Sequence, residues 1–236
     1  MMKRLSILVA VLTISLMTLA QPSAGSFSLI PRLGVNFANM TNNEVVATFG
    51  ANPQNDKTLK SRIKPGLMVG FDAEYQATSD LFMSLGLQYS RQGSRFPDFE
   101  RKDGELAEGY SDWHTDLDYL NVPLLFGYRI AKGFSVKAGL QLGLLLGGKE
   151  KMSYTDITIL DGGTRKQGNA VPRETDVKDV YKSVDLSIPL ALSYEFENVI
   201  LDARYNFGLS RIHQLDVVKS RNSVIQLSVG YRFQVM

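Results

Sequence analysis

The chain has no cysteine. Disulfides and an acylated N-terminal cysteine are therefore both excluded. It has a single tryptophan, Trp113, and only two histidines, His114 and His213. No Gly-rich phosphate cradle, metal-ligand cluster, heptad pattern or internal repeat is present, so neither a cofactor nor a metal is expected. Charge of one sign is also lacking. Formal net charge is +2. Without Lys3 and Arg4 the count is 24 basic against 24 acidic residues. Such neutrality offers nothing to nucleic acid, which is not expected as a partner. After residue 20 no apolar run reaches the roughly 18–20 residues of a helical span. Any membrane crossing must use strands.

Residues 1–20 read MMKRLSILVAVLTISLMTLA. Lys3 and Arg4 form a basic start, Leu5 to about Leu19 is apolar, and Thr18 and Ala20 suit cleavage before Gln21. This pattern predicts a secretory signal peptide over residues 1–20 and one domain over 21–236.

What the chain does have is strict alternation. In Val199 to Leu209, every second residue from Val199 is apolar, while Asp202, Arg204, Asn206 and Gly208 occupy the opposite parity. A period of two marks a strand with two unlike faces. A soluble barrel alternates too, with its apolar face inward, but side-chain size separates the cases. Here glycines and short polar residues share one parity and bulk shares the other. A crowded, small, polar interior inside a lipid-facing apolar wall fits that distribution.

Eight such strands are predicted, over residues 27–38, 63–76, 81–92, 116–130, 134–147, 181–196, 199–209 and 222–235. Pro123 and Pro189 fall within strands and imply a bulge or a gap in the ladder. The connections at 77–80, 131–133 and 197–198 are short, whereas 39–62, 93–115, 148–180 and 210–221 are long. The fold expected is an all-β, eight-stranded, antiparallel up-and-down transmembrane barrel. It would lie in the outer membrane with both termini periplasmic and long loops extracellular. Strand one must pair with strand eight, because lipid cannot satisfy a free edge.

The inward parity carries Arg32, Lys64, Asp72, Glu74, Arg129, Lys137, Asp185, Glu195, Asp202, Arg204 and Arg232. These are expected to form a mutually neutralising lumen network, since eight strands leave room for side chains and little else. A narrow pore is the alternative. Aromatics gather at strand ends, with Tyr75, Tyr128, Tyr194, Tyr231 and Phe233 at the short-turn edge. Tyr89 is placed near the other edge, with Tyr181, Phe37 and Phe207. Two girdles at the headgroup levels are expected, with Trp113 marking the outer interface.

A second alternative is a lipid-modifying hydrolase. It would use His114 with Ser111, Asp112 or Asp116, or His213 with Ser210 or Asp216. The acidic loop 94–113 lacks the spacing of an EF-hand. Asp161-Gly162-Gly163-Thr164 reads as a hairpin tip beyond the membrane.

Several runs resemble a known family. They are Tyr119-Leu120-Asn121-Val122-Pro123-Leu124-Leu125, Asp202-Ala203-Arg204-Tyr205-Asn206-Phe207-Gly208-Leu209, Gln226-Leu227-Ser228-Val229-Gly230-Tyr231-Arg232-Phe233 and Arg32-Leu33-Gly34-Val35-Asn36-Phe37-Ala38-Asn39-Met40. Together they are similar to the PorT-like outer-membrane β-barrel proteins of Bacteroidetes. The resemblance implies an eight-stranded outer-membrane barrel; most members have no assigned activity, and the family offers no catalytic, cofactor or metal residues to carry over. The partners it implies are outer-membrane lipid, the barrel-insertion machinery and other envelope or secretion proteins. Many such barrels end on an aromatic that the insertion machinery reads; here Gln234, Val235 and Met236 follow Phe233. The function expected is structural or interactive, with the long loops as recognition surface and an accessory part in protein secretion.

Overall fold

A computed structural model describes residues 23–47, 57–103, 106–159, 164–215 and 218–235. The predicted leader lies outside them. In chain order the strands are β1 (Phe27–Thr41), β2 (Glu44–Ala47), β3 (Lys57–Lys60), β4 (Lys64–Gln76), β5 (Leu81–Arg95), β6 (Phe99–Asp103) and β7 (Leu106–Ala131). There follow β8 (Phe134–Ile159), β9 (Arg165–Gln167), β10 (Val171–Asp176), β11 (Val184–Phe196), β12 (Val199–Gly208), β13 (Arg221–Tyr231) and β14 (Phe233–Gln234).

A ring closes through eight of these: β1, β4, β5, β7, β8, β11, β12, β13 and back to β1. Every pairing in it is antiparallel, and β1 meets β13 over Arg32↔Gly230 to Thr41↔Arg221. The expectation of eight strands therefore holds for the ring and not for the chain. Among the described residues six further strands lie outside it. β14 is the end of the predicted strand 222–235, split off at Arg232 and still paired with β1; the other five were not foreseen because the long loops do not alternate in hydropathy, and their backbones pair above the apolar wall, where parity is free to vary.

Along β1 exposure alternates residue by residue, Leu33 being 56% exposed and Arg32 3%. The same inversion holds around the ring: Leu85, Phe126, Leu140 and Leu201 stand outward while Gln88, Asn121, Lys137 and Asp202 are buried. Soluble monomers rarely expose contiguous apolar patches beyond a few hundred Å². An apolar wall around the whole circumference belongs in hydrocarbon, where a closed ring leaves no unpaired edge.

Both prolines interrupt one ladder each. Between β5 and β7 the register runs from Leu85↔Leu124 to Gln88↔Asn121, skipping Pro123. Between β8 and β11 it runs from Ser187↔Gln141 to Leu190↔Ala138, skipping Pro189. On their other sides Pro123 faces Gln141 and Pro189 faces Asn206 in unbroken register. A missing N–H thus costs one contact on one flank and leaves closure intact.

Two of the short turns place a residue in the left-handed region. Glu197 takes φ 55° in the two-residue connection, and Gly133 takes φ 79° after Lys132. At this end the interior is closed by Phe82, which lies across from Gly127. A Cβ on Gly127 would meet the Phe82 ring at 2.1 Å. Arg129 lies over the other part of that ring, 5.4 Å from its centroid. Gly127→Val should therefore destabilise the barrel by about 1–3 kcal/mol through overpacking. Phe82→Ala in the same background should recover part of that loss in urea unfolding; additive losses would show that the two side chains do not share the space.

β7 and β8 each run 26 residues, well past the 9–11 that cross a bilayer. Their distal halves pair with each other, with β6 on one flank and β10 on the other. A sheet arm thus stands above the loop end of the wall. Ile159 pairs with Arg165, so a hairpin brackets the Asp161-Gly162-Gly163 tip, whose residues lie outside those described.

Candidate functional site

The lumen holds three polar levels. At mid-height five strands converge. Arg32 of β1 donates from Nε to Asp72 Oδ2 of β4 at 2.6 Å, and Gln88 of β5 donates to Asp72 Oδ1 at 3.0 Å. Lys137 of β8 donates to Asp202 Oδ2 of β12 at 2.7 Å. Arg204 lies between the two carboxylates, its nitrogens 3.6 Å from Asp202 and 4.0 Å from Asp72. Arg32 reaches Asp202 at 3.8 Å as well. Gly86 leaves room for Asp72, whose Oδ1 would be 2.3 Å from any Cβ there. All these charged side chains are at most 3% exposed. Charges so removed from water need close opposite charges, and their interleaving supplies them.

Toward the turn end, Arg232 binds Glu195 through two bonds of 2.6 and 3.0 Å and Glu74 through a third of 2.7 Å. This fork bridges β11 and β4 across the lumen, which suits a guanidinium and not an ammonium. Arg232 sits at the break between β13 and β14. Glu195 and Arg129 are half-buried, and Arg129 donates to the Ser79 carbonyl in the turn at 2.9 Å.

Toward the loop end, Asp185 accepts from Asn222 at 2.9 Å and from the Ser210 hydroxyl. Above it, Met40, Leu117, Tyr119, Leu145, Tyr181 and Ile212 form an apolar cluster inside the barrel. Lys64 pairs with Asp116, which is also approached by Lys151 and by His114 at 3.6 and 3.8 Å.

The eleven residues predicted for the lumen all carry inward parity, but they form separate clusters and not one network. The apolar cluster was missed. Its signal was available, since Leu117 and Tyr119 share parity with Asn121, and Leu145 with Gly143. Tyr181 is a correction: placed among the girdle aromatics, it is 6% exposed and turned inward. A bridge to His213 folds the chain over the barrel mouth there.

Of the predicted girdle residues, Tyr128 and Tyr194 are exposed, and Tyr75, Tyr89, Tyr231 and Phe233 are partly so. At the turn end, rings pair as Phe27–Tyr75, Phe134–Tyr194 and Tyr231–Phe233, with centroids 4.6–4.8 Å apart. Tyr89 at the other end donates to Asp118 at 2.6 Å, beside Arg91. Trp113 packs on Phe96 at 4.6 Å at the base of the arm.

Neither histidine meets a serine among the described residues. His114 Nδ1 lies 2.8 Å from the Asp112 carbonyl. His213 packs against Tyr181 with ring centroids 4.6 Å apart and planes tilted by 42°, and burial lowers the basicity of its ring. Ser210 donates its hydroxyl hydrogen bond to Asp185 instead. Asp216 lies outside the described residues.

A family model described as outer membrane protein beta-barrel domain matches residues 19–214. The chain belongs to that family. Its place is the outer membrane, and the apolar wall is the surface that meets lipid. Among solved structures, this outer-membrane barrel is similar to Ail, the attachment invasion locus protein of Yersinia pestis. The two are 16% identical with a TM-score of 0.41, over 89% of this chain and 99% of that one. It is also similar to Neisserial surface protein A, at 12% identity and a TM-score of 0.42, over 88% of this chain and 97% of that one. No curated protein matches the sequence.

Proposed function

We propose that this outer-membrane barrel is a non-conducting, non-enzymatic interaction protein that works through its loop-end arm. One observation carries the reading. At mid-height the side chains of Arg204, Asp202, Asp72, Arg32 and Lys137 are at most 3% exposed. A pore needs wet walls, and this level is filled by ion pairs. The hydrolase reading is the weaker one: His114 meets the predicted acids Asp112 and Asp116 at 3.3 and 3.8 Å, but among the described residues neither histidine bonds a serine that could act as nucleophile.

What remains for recognition is the arm. Arg165–Glu100 and Lys149–Glu174 tie its flanks, and Arg173 stacks on Tyr154 at 4.6 Å. Long loops on a rigid scaffold are the usual place for recognition. In this reading the arm is extracellular and both termini are periplasmic, as short turns on one side and long loops on the other favour. The likeness to PorT-like proteins supports work beside a secretion system. The aromatic groups Tyr231 and Phe233 are the signal offered to the insertion machinery.

Planar-bilayer recordings of the purified barrel should show no large, stable conductance. A reproducible open channel would overturn the reading. Capture from detergent-solubilised outer membranes then separates the roles: recovered secretion components support an accessory, whereas an arm-independent partner argues against recognition by the loops.

A further inference from the structure

Outside the lumen, one cavity of about 390 Å³ opens at the loop end between β1, β12 and β13. Arg211, Lys219 and Arg221 line it, together with Tyr205 and Phe207. Its position follows from register. Down the outward face of β13, Val229, Leu227 and Ile225 are apolar, and Ser223 and Arg221 follow. On β1 the partners change in step: Phe37 faces Ile225, Asn39 faces Ser223 and Thr41 faces Arg221. Phe207 lies across from Ser223, and the Tyr205 hydroxyl is 2.6 Å from the Ser223 hydroxyl. The cavity therefore straddles the line where the apolar wall ends. Aromatic rings form its lower part and cations its upper part.

Lys219 and Arg221 differ from the ion-paired cations of the rim. Elsewhere on the rim, Arg91 pairs with Asp118 at 2.8 Å and Lys149 with Glu174 at 2.5 Å. Among the described residues no carboxylate lines this cavity or pairs with Lys219 or Arg221. The Asn42 amide reaches the Lys219 carbonyl at 3.5 Å and brings a further donor to the same wall. Lys219 and Arg221, exposed, without an acid among the described residues and set directly above an apolar surface, suit a ligand with an anionic head and a greasy body.

We propose that this cavity binds the phosphate of a membrane lipid, with Arg221 and Lys219 on the phosphate oxygens and the acyl chains lying over Phe207 and Ile225. The arginine supplies paired N–H donors and the lysine a point charge. A free phosphate would engage the cations and leave the aromatic half unused. The site does not depend on the arm's role or on which side of the membrane the loops face.

Phosphatidic acid titrated into the detergent-folded protein and followed by native mass spectrometry should give a one-to-one complex. Lys219→Gln with Arg221→Gln should weaken it roughly 30-fold. Lys149→Gln, at a rim cation that already has a carboxylate, should leave it unchanged. Diacylglycerol of the same chain length should bind the parent protein no better than phosphatidic acid binds the double variant. Heat-dependent migration on gels shows that each variant is folded. Equal affinity of parent and double variant overturns the proposal, as does equal binding of diacylglycerol. Displacement by inorganic phosphate at matched concentration would assign the site to free phosphate and overturn the lipid; displacement only at large excess supports it.

Discussion

Asp202→Asn is expected to cost the barrel about 3–5 kcal/mol, enough to prevent folding of a marginal domain. The Asp202 carboxylate lies within hydrogen-bond distance of Lys137 and within 3.8 Å of Arg32 and Arg204. Removing its charge leaves three buried cations facing Asp72 alone at that level. An asparagine can still accept a hydrogen bond, but it cannot offset the desolvation of an ammonium. Urea unfolding in detergent measures the effect. The companion variant separates charge from shape: Lys137→Met added to Asp202→Asn removes one uncompensated cation and should recover a large share of the loss. A single substitution costing under about 1 kcal/mol would mean that water or a rearranged Asp72 already serves these cations, and the dry-lumen picture would fail.

Leu140→Arg tests the other face. Leu140 is 54% exposed and lies near the middle of the membrane-spanning half of β8, across from Leu124. An arginine facing hydrocarbon at mid-depth should cost about 2–4 kcal/mol. The same change at Leu146, equally outward but near the loop end, should cost about 0–1 kcal/mol. The depth dependence is the diagnostic, since a water-exposed wall would tolerate both substitutions alike. Equal, small effects at the two positions in lipid vesicles would place the apolar face against something other than acyl chains.

Much of the wall was legible from residues alone. Leu201, Ala203 and Tyr205 must lie opposite Asp202, Arg204 and Asn206, because Cβ atoms alternate across a strand, and the glycines that share the polar parity turn that side inward. Both prolines announced their ladder gaps, since a missing N–H cannot be replaced. The arm was hidden for a related reason. Residues 148–159 of β8 extend through solvent, where neither face need be apolar, so no alternation records them. Tyr181 misled because an aromatic next to a predicted strand end reads as a girdle residue; only the fold of 210–215 over the barrel mouth turns it inward.

By itself, the order of amino acids determined that strands cross and that the wall has an apolar outside, because a period of two separates the faces and the small, polar residues crowd onto the one that must fit a narrow interior. Tertiary structure decided who meets whom inside. Parity sends Arg232, Glu74 and Glu195 to the lumen, but their heights depend on how strands tilt and slide past one another on closing the ring. That stagger brings Arg232 to a glutamate 158 positions away and leaves Arg204 between two aspartates.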